Sequence, residues 1–160
     1  MAGMLDYIRH VVYQAALLQL PARMDSHAAR AMLTAIGMQE SRLRHRRQQG
    51  NGPARGFWQF ETAGVRGVIK HSASRTHLVP ILAAMQYDEE VTTSYTAIEH
   101  NDVLACVYAR LLLWTHTAPL PQKGEREVAW QYYLSLWRPG RPHVETWDAF
   151  FDRAWELTAA

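Results

Sequence analysis

The chain has one cysteine among 160 residues, Cys106. No internal disulfide can form, so the fold does not depend on an oxidising compartment. Long apolar runs are also missing. The best candidate, Val103 to Trp114, falls short of the ~20 residues a bilayer span requires and contains Arg110, which excludes stable membrane insertion. Neither sign of charge dominates. A formal charge of +2 does not by itself imply a polyanionic partner, and the eight histidines add positive charge only in mild acid. Those histidines lack ligand spacing. His71 and His77 are six residues apart and no His-Glu-x-x-His occurs, so no metal or other cofactor is expected. No repeat, low-complexity tract or linker is visible, and no segment alternates as a strand would. The N-terminal stretch MAGMLDYIRHVVYQAALLQLPARM has an apolar run, but Asp6 sits in the charged region and no small-x-small cleavage site follows. It reads as a first amphipathic helix of a protein made in a cytoplasm, whose export would need help.

What is present is a globular composition. Hydrophobic residues make up 48% and charged residues 20%, which excludes a disordered chain. The length suits one domain, which buries roughly 70% of the surface its unfolded chain exposes.

Helical periodicity runs throughout. Leu5, Ile8, Val12, Ala15 and Leu18 predict a first helix from Leu5 to Leu20, stopped by Pro21. Asp25 and Ser26 are candidate N-caps of a second helix with the stripe Ala29, Leu33, Ile36, Glu40 and Leu43. Arg44 to Arg55 is polar and turn-rich, hence a loop. Short helices are expected from Thr62 to His71 and from Val79 to Asp88. Asn101 or Asp102 caps a helix that is apolar almost all round, with Val103, Leu104, Val107, Leu111 and Trp114, and is therefore central and buried. Two more helices follow, from Glu125 to Trp137 and from Val144 to Leu157, separated by RPGRP. The expected architecture is all-α, a single domain of about six or seven helices around a buried central helix.

Glu40 is the most informative single residue. An acid on an apolar face is costly to ionise, so burial raises its pKa. A carboxyl that stays protonated near neutrality suits general-acid catalysis. The competing reading ends the helix a turn early and leaves Glu40 in water, paired with Arg44 at i+4. The second informative stretch is GPARGFWQFE, from Gly52 to Glu61. Gly56 opens backbone conformations closed to other residues. Phe57 and Trp58 offer flat apolar faces and Gln59 offers donors and acceptors, the combination that binds sugars. A structural turn followed by core aromatics is the competing reading.

Together, Glu40-Ser41 and the later Gly56-Phe57-Trp58-Gln59-Phe60 resemble the soluble lytic transglycosylase and goose-type lysozyme superfamily. That family carries a Glu-Ser signature followed by a Gly-Leu-Met-Gln type loop, and here Phe and Trp replace Leu and Met. Its third element is an Ala-Tyr-Asn triplet after a buried helix. Here AWQYYLSLWRPG occupies that place, with Tyr132 and Tyr133 both candidates and no asparagine after them. The resemblance covers roughly Ala28 to Gly140.

The resemblance implies a lysozyme-like fold and a one-carboxylate reaction. The acid matching Glu40 protonates the glycosidic oxygen between N-acetylmuramic acid and N-acetylglucosamine. It then acts as a base while the muramyl C6 hydroxyl closes on the anomeric carbon, giving a 1,6-anhydro sugar. One of the two tyrosines orients Glu40, Ser41 positions the peptide-bearing sugar, and Gly56, Phe57, Trp58 and Gln59 line the glycan site. A second acid would point instead to hydrolysis. Glu61 is near in sequence but suits the cap of the next helix, and Asp88, Glu89 and Glu90 form another cluster. The basic run Arg42, Arg44, His45, Arg46 and Arg47 is short and belongs to no nucleic-acid-binding module, so it reads as a solvated loop. Trp137, beside RPGRP, is a candidate groove-lining residue, while the other tryptophans read as core. The implied setting is a phage-type enzyme without a clear signal peptide, acting as a monomer on peptidoglycan strands in the periplasm or wall, through holin release or as a virion component. A non-catalytic glycan-binding or virion protein keeping the fold is the rival from another class.

Overall fold

The computed structural model describes residues 2–159. It is all-α, with eight helices among the described residues. The first, α1 (residues 2–17), is continuous but contains a π-helical turn at Ile8–Val12, between α-helical Ala2–Tyr7 and Tyr13–Leu17. This turn takes more than 3.6 residues, so it rotates the buried face by about one position. The predicted stripe holds through Leu5, Ile8 and Val12, then moves to Ala16 and Leu17, leaving Leu18 81% exposed.

The remaining helices are α2 (His27–Ser41), α3 (Thr62–Lys70), α4 (Ser72–Ala84), α5 (Val91–His100), α6 (Asp102–Trp114), α7 (Arg126–Trp137) and α8 (Val144–Leu157). Ser26 caps α2 by accepting from the Ala29 amide at 3.1 Å, while Asp25 pairs with Arg30 instead. Asn101, not Asp102, caps α6 through the Leu104 amide at 3.0 Å. Every residue of α6 from Leu104 to Leu111 is buried, so this is the central helix, packed against α1, α2, α3, α4 and α5. The long helices α2 and α8 pack together at one side, with α7 against α8.

Two expectations change. The helix placed at Val79–Asp88 begins earlier and holds Pro80 in its interior, on the exposed face. Helix α5 was not anticipated. Its sequence, VTTSYTAIEH, is rich in β-branched and hydroxyl residues of low helix propensity, and it is held by packing of Ser94 and Ile98. The element count is therefore eight rather than six or seven. No described helix is long and apolar enough to cross a membrane.

Candidate active site

Helix α2 ends at Ser41, followed by Arg42 and Leu43 at φ 58° and 52°. These left-handed residues fold the chain back, so Leu43 is buried but off the helix. The helical stripe thus ends on Glu40, which is partly buried in the last turn. Its Oε1 accepts a hydrogen bond from the Tyr133 hydroxyl at 2.5 Å. Desolvation pushes the Glu40 carboxyl up to about 7; the negative charge of Glu61 adds to that rise, and the Tyr133 hydrogen bond opposes it. Burial and the adjacent Glu40 carboxylate raise the Tyr133 phenol further, so it remains a donor. Arg44 makes no ion pair among the described residues, so the solvated reading with an Arg44 partner does not hold.

The tyrosine register resolves by geometry. Successive residues of a helix point about 100° apart, so only one of the pair can face α2. Tyr133 does, and its ring stacks on Trp147 with centroids 5.2 Å apart. Tyr132 turns away, donates to the Leu113 carbonyl at 3.1 Å and stacks on His116. Tyr132 is therefore not part of the Glu40 site.

The loop after α2 is fastened from several sides. Gly56 has φ 76°, and a Cβ there would lie 2.7 Å from Ile98 Cγ2 and 3.1 Å from the Ile98 carbonyl oxygen. Only glycine fits both the conformation and the space. Arg55 and Phe60 exchange amide hydrogen bonds at 2.9 and 2.8 Å, closing a tight turn over Gly56 and Gln59. Gln59 is itself left-handed, at φ 51°, and its side-chain amide donates to the Gly56 carbonyl. Ser41 donates to the Phe57 carbonyl at 2.6 Å. The Trp58 indole donates to the Leu33 carbonyl at 2.8 Å, over Gly37, which has no side chain to block it.

These contacts reassign several expected binders. Phe57 and Trp58 are both 0% exposed. They are the inner anchors of the loop and present no face to a sugar. The Ser41 hydroxyl is spent on holding the loop and is buried. Gln59 keeps partial exposure and is the loop residue open to a ligand. The partly exposed aromatic residue beside the loop is Trp137. Its indole donates to the Trp58 carbonyl at 2.9 Å, its ring centroid lies 6.0 Å from Phe60 and 6.3 Å from Tyr133, and it is partly exposed. Glu61 occupies the N-cap position of α3 without making a side-chain cap hydrogen bond. Its side chain is exposed and acts on Glu40 instead. A second carboxylate thus stands within electrostatic reach of the first.

The basic run lies at the surface, with Arg42, Arg44, His45 and Arg47 exposed, but two of its arginines have fixed partners. Arg46 grips Asp102 with two bonds of 2.8 Å and lies 4.4 Å over the Phe57 ring. Tyr7 of α1 donates to the same carboxylate at 2.8 Å. Arg47 and Arg55 share Glu99 of α5. The partners of Arg46 and Arg47 lie more than fifty residues away in sequence, so no local pattern announces them. Among the described residues no three His, Cys, Asp or Glu side chains cluster in reach of one ion.

The arrangement is a partly buried carboxyl whose pKa is raised to about 7, fixed by a phenol, within electrostatic reach of a second carboxylate, and bordered by a partly exposed amide and a partly exposed indole. Comparison with protein-family models, curated proteins and solved structures finds no match to this chain.

Proposed function

We propose that this chain is a peptidoglycan lytic transglycosylase of lysozyme-like fold. The reading rests above all on the Glu40–Tyr133 pair, in which a carboxyl raised to about 7 is oriented by a permanent hydrogen-bond donor. Glu40 donates its proton to the glycosidic oxygen between N-acetylmuramic acid and N-acetylglucosamine. The carboxylate left behind keeps the Tyr133 hydrogen bond, which is stronger to an anion than to the neutral acid. It then takes the proton of the muramyl C6 hydroxyl as that oxygen attacks the anomeric carbon. The bond formed is the 1,6-anhydro linkage, the bond broken is the glycosidic one, and no water is consumed. Gln59 contacts glycan hydroxyls, and Trp137 supplies the apolar surface beneath a sugar ring. The setting proposed is that of a phage-type enzyme, acting on the wall as a monomer after holin release or from the virion.

A hydrolytic muramidase acting on the same bond is the second reading, and Glu61 is the observation that favours it. A carboxylate facing the acid across a sugar could direct a water. Mass analysis of the muropeptides released from purified sacculi separates the two. Anhydro ends support the transglycosylase, and reducing muramic acid ends overturn it in favour of the muramidase. If wild type fails to clear a peptidoglycan zymogram, or Glu40→Gln clears as well as wild type, both readings fail.

A further inference from the structure

We propose that the cavity between α1, the end of α2 and α8 binds a small amphipathic anion. The ligand class is a medium-chain carboxylate, with its apolar body in the cavity and its charged end among the arginines at the mouth. The inference stands apart from the glycan-cleaving reading, because Glu40 does not line this cavity.

The cavity measures about 310 Å³. Its inner wall is apolar. Leu5 of α1, Met38 of α2 and Leu43 beyond the chain reversal are 8%, 6% and 2% exposed, so they form its floor. Phe150 and Leu157 of α8 are half-buried and form its side. None of the five side chains offers a hydrogen-bond donor. Water inside would find few partners there, and an apolar body is favoured in its place. A water takes ~30 Å³ in the liquid, so the space suits about ten groups of that size. An eight-carbon carboxylate has that many non-hydrogen atoms, whereas a two-chain lipid far exceeds it.

The mouth is charged, mostly with one sign. Arg9, Arg42 and Arg153 line it, against the single acid Asp6. Asp6 approaches Arg9 only to 3.9 Å, too long for a hydrogen bond. Arg42 holds its guanidinium 4.7 Å over the Phe150 ring, on the cavity wall. Its Nη1 is engaged by the Met38 and Gln39 carbonyls, and its other donors have no partner among the described residues. Arg153 makes one bond, from Nη1 to Glu156. Elsewhere the arginines grip acids with two prongs, as Arg30 does Asp25, Arg46 does Asp102 and Arg126 does Asp152. Among the described residues none of the three at this mouth has such a partner, although a guanidinium fork matches a carboxylate. Other exposed arginines lack the apolar cavity beneath them. The combination selects an anion with an apolar body and rejects the matching cation.

Isothermal titration of the whole chain with octanoate, octan-1-ol, octylammonium and acetate tests this. Octanoate should bind about tenfold tighter than octanol, the range that two or three partly exposed charge contacts supply. Octylammonium should bind more weakly than octanol, and acetate should not bind measurably. Arg9→Gln combined with Arg153→Gln should weaken octanoate about fivefold or more, leave octanol unchanged and melt as wild type does; Arg42 is kept because it also caps α2. Leu157→Trp, whose indole would occupy the cavity, should abolish binding of both. The proposal is overturned if octanoate does not bind, or binds no tighter than octanol or octylammonium. It is equally overturned if the double arginine variant binds octanoate as wild type does, or if folded Leu157→Trp still binds it. Should Leu157→Trp fail to fold, the arginine variant and the probe series decide alone.

Discussion

Replacing Glu40 by glutamine should remove activity and, in alkaline solution, strengthen the fold. Glutamine keeps an oxygen to accept from Tyr133 and cannot ionise. In the folded protein the Glu40 carboxyl titrates near 7, whereas in the unfolded chain it returns to the ordinary value of 4.5. The folded state therefore binds this proton more tightly. Its contribution to stability is complete below about pH 4.5 and is lost as pH rises through 7. A difference of about 2.5 in pKa, at 1.36 kcal/mol each, amounts to about 3 kcal/mol. Wild type and Glu40→Gln should thus be nearly equal in stability at pH 4. At pH 9 the variant should be more stable by about 3 kcal/mol, or about 6–12 °C in Tm for a domain of this size. Every other titrating group is common to both proteins and cancels in the difference. Urea unfolding followed by tryptophan fluorescence at the two pH values measures it. Two stability–pH curves that run parallel would refute the claim that Glu40 is held neutral by its surroundings. Activity should meanwhile fall by about 10²–10⁴-fold, and wild-type turnover should decline as pH rises through about 7.

Tyr133→Phe removes the donor that favours ionised Glu40, so the alkaline limb of the rate–pH profile should move upward while kcat falls about tenfold or more; an unmoved limb would separate Tyr133 from the acid. Gly56→Ala meets both a left-handed backbone and the Ile98 carbonyl, and should destabilise the fold by about 2–4 kcal/mol in urea titration. Arg46→Met leaves the buried Asp102 carboxylate with Tyr7 as its remaining side-chain partner, and a loss of about 1–3 kcal/mol is expected, below the usual range for buried pairs because Arg46 itself is partly exposed.

The extent to which the site could be read from the sequence follows the range of the interactions involved. Glu40 was legible because helical spacing over α2 set it on the buried face, a property of neighbouring residues. Gly56 was legible because a glycine before an aromatic run marks a turn. The choice between Tyr132 and Tyr133 was not, since both lie on one helix and only the position of α2 distinguishes them. Phe57 and Trp58 were expected at the surface and are core, because aromatic residues in a loop look alike whether the loop is an edge or a plug. The basic run was legible as a surface loop, but the fixed partners of Arg46 and Arg47 were not, because Asp102 and Glu99 enter from α6 and α5. Helix α5 escaped notice because its local propensity is low and its packing is tertiary. In α1, one π-helical turn was enough to move a correctly recognised stripe by a residue.

The fastening of the loop at 55–60 also governs how this molecule comes apart. The amides of Arg55, Gly56, Gln59 and Phe60 are hydrogen-bonded, the Phe57 and Trp58 carbonyls are held by α2 and α7, and its two largest side chains are interior. Those four amide protons should exchange with solvent only when the whole domain unfolds, unlike the loop amides of most enzymes. This border of the Glu40 site should therefore last as long as the fold itself. A protease acting on the native protein would find its first cut elsewhere.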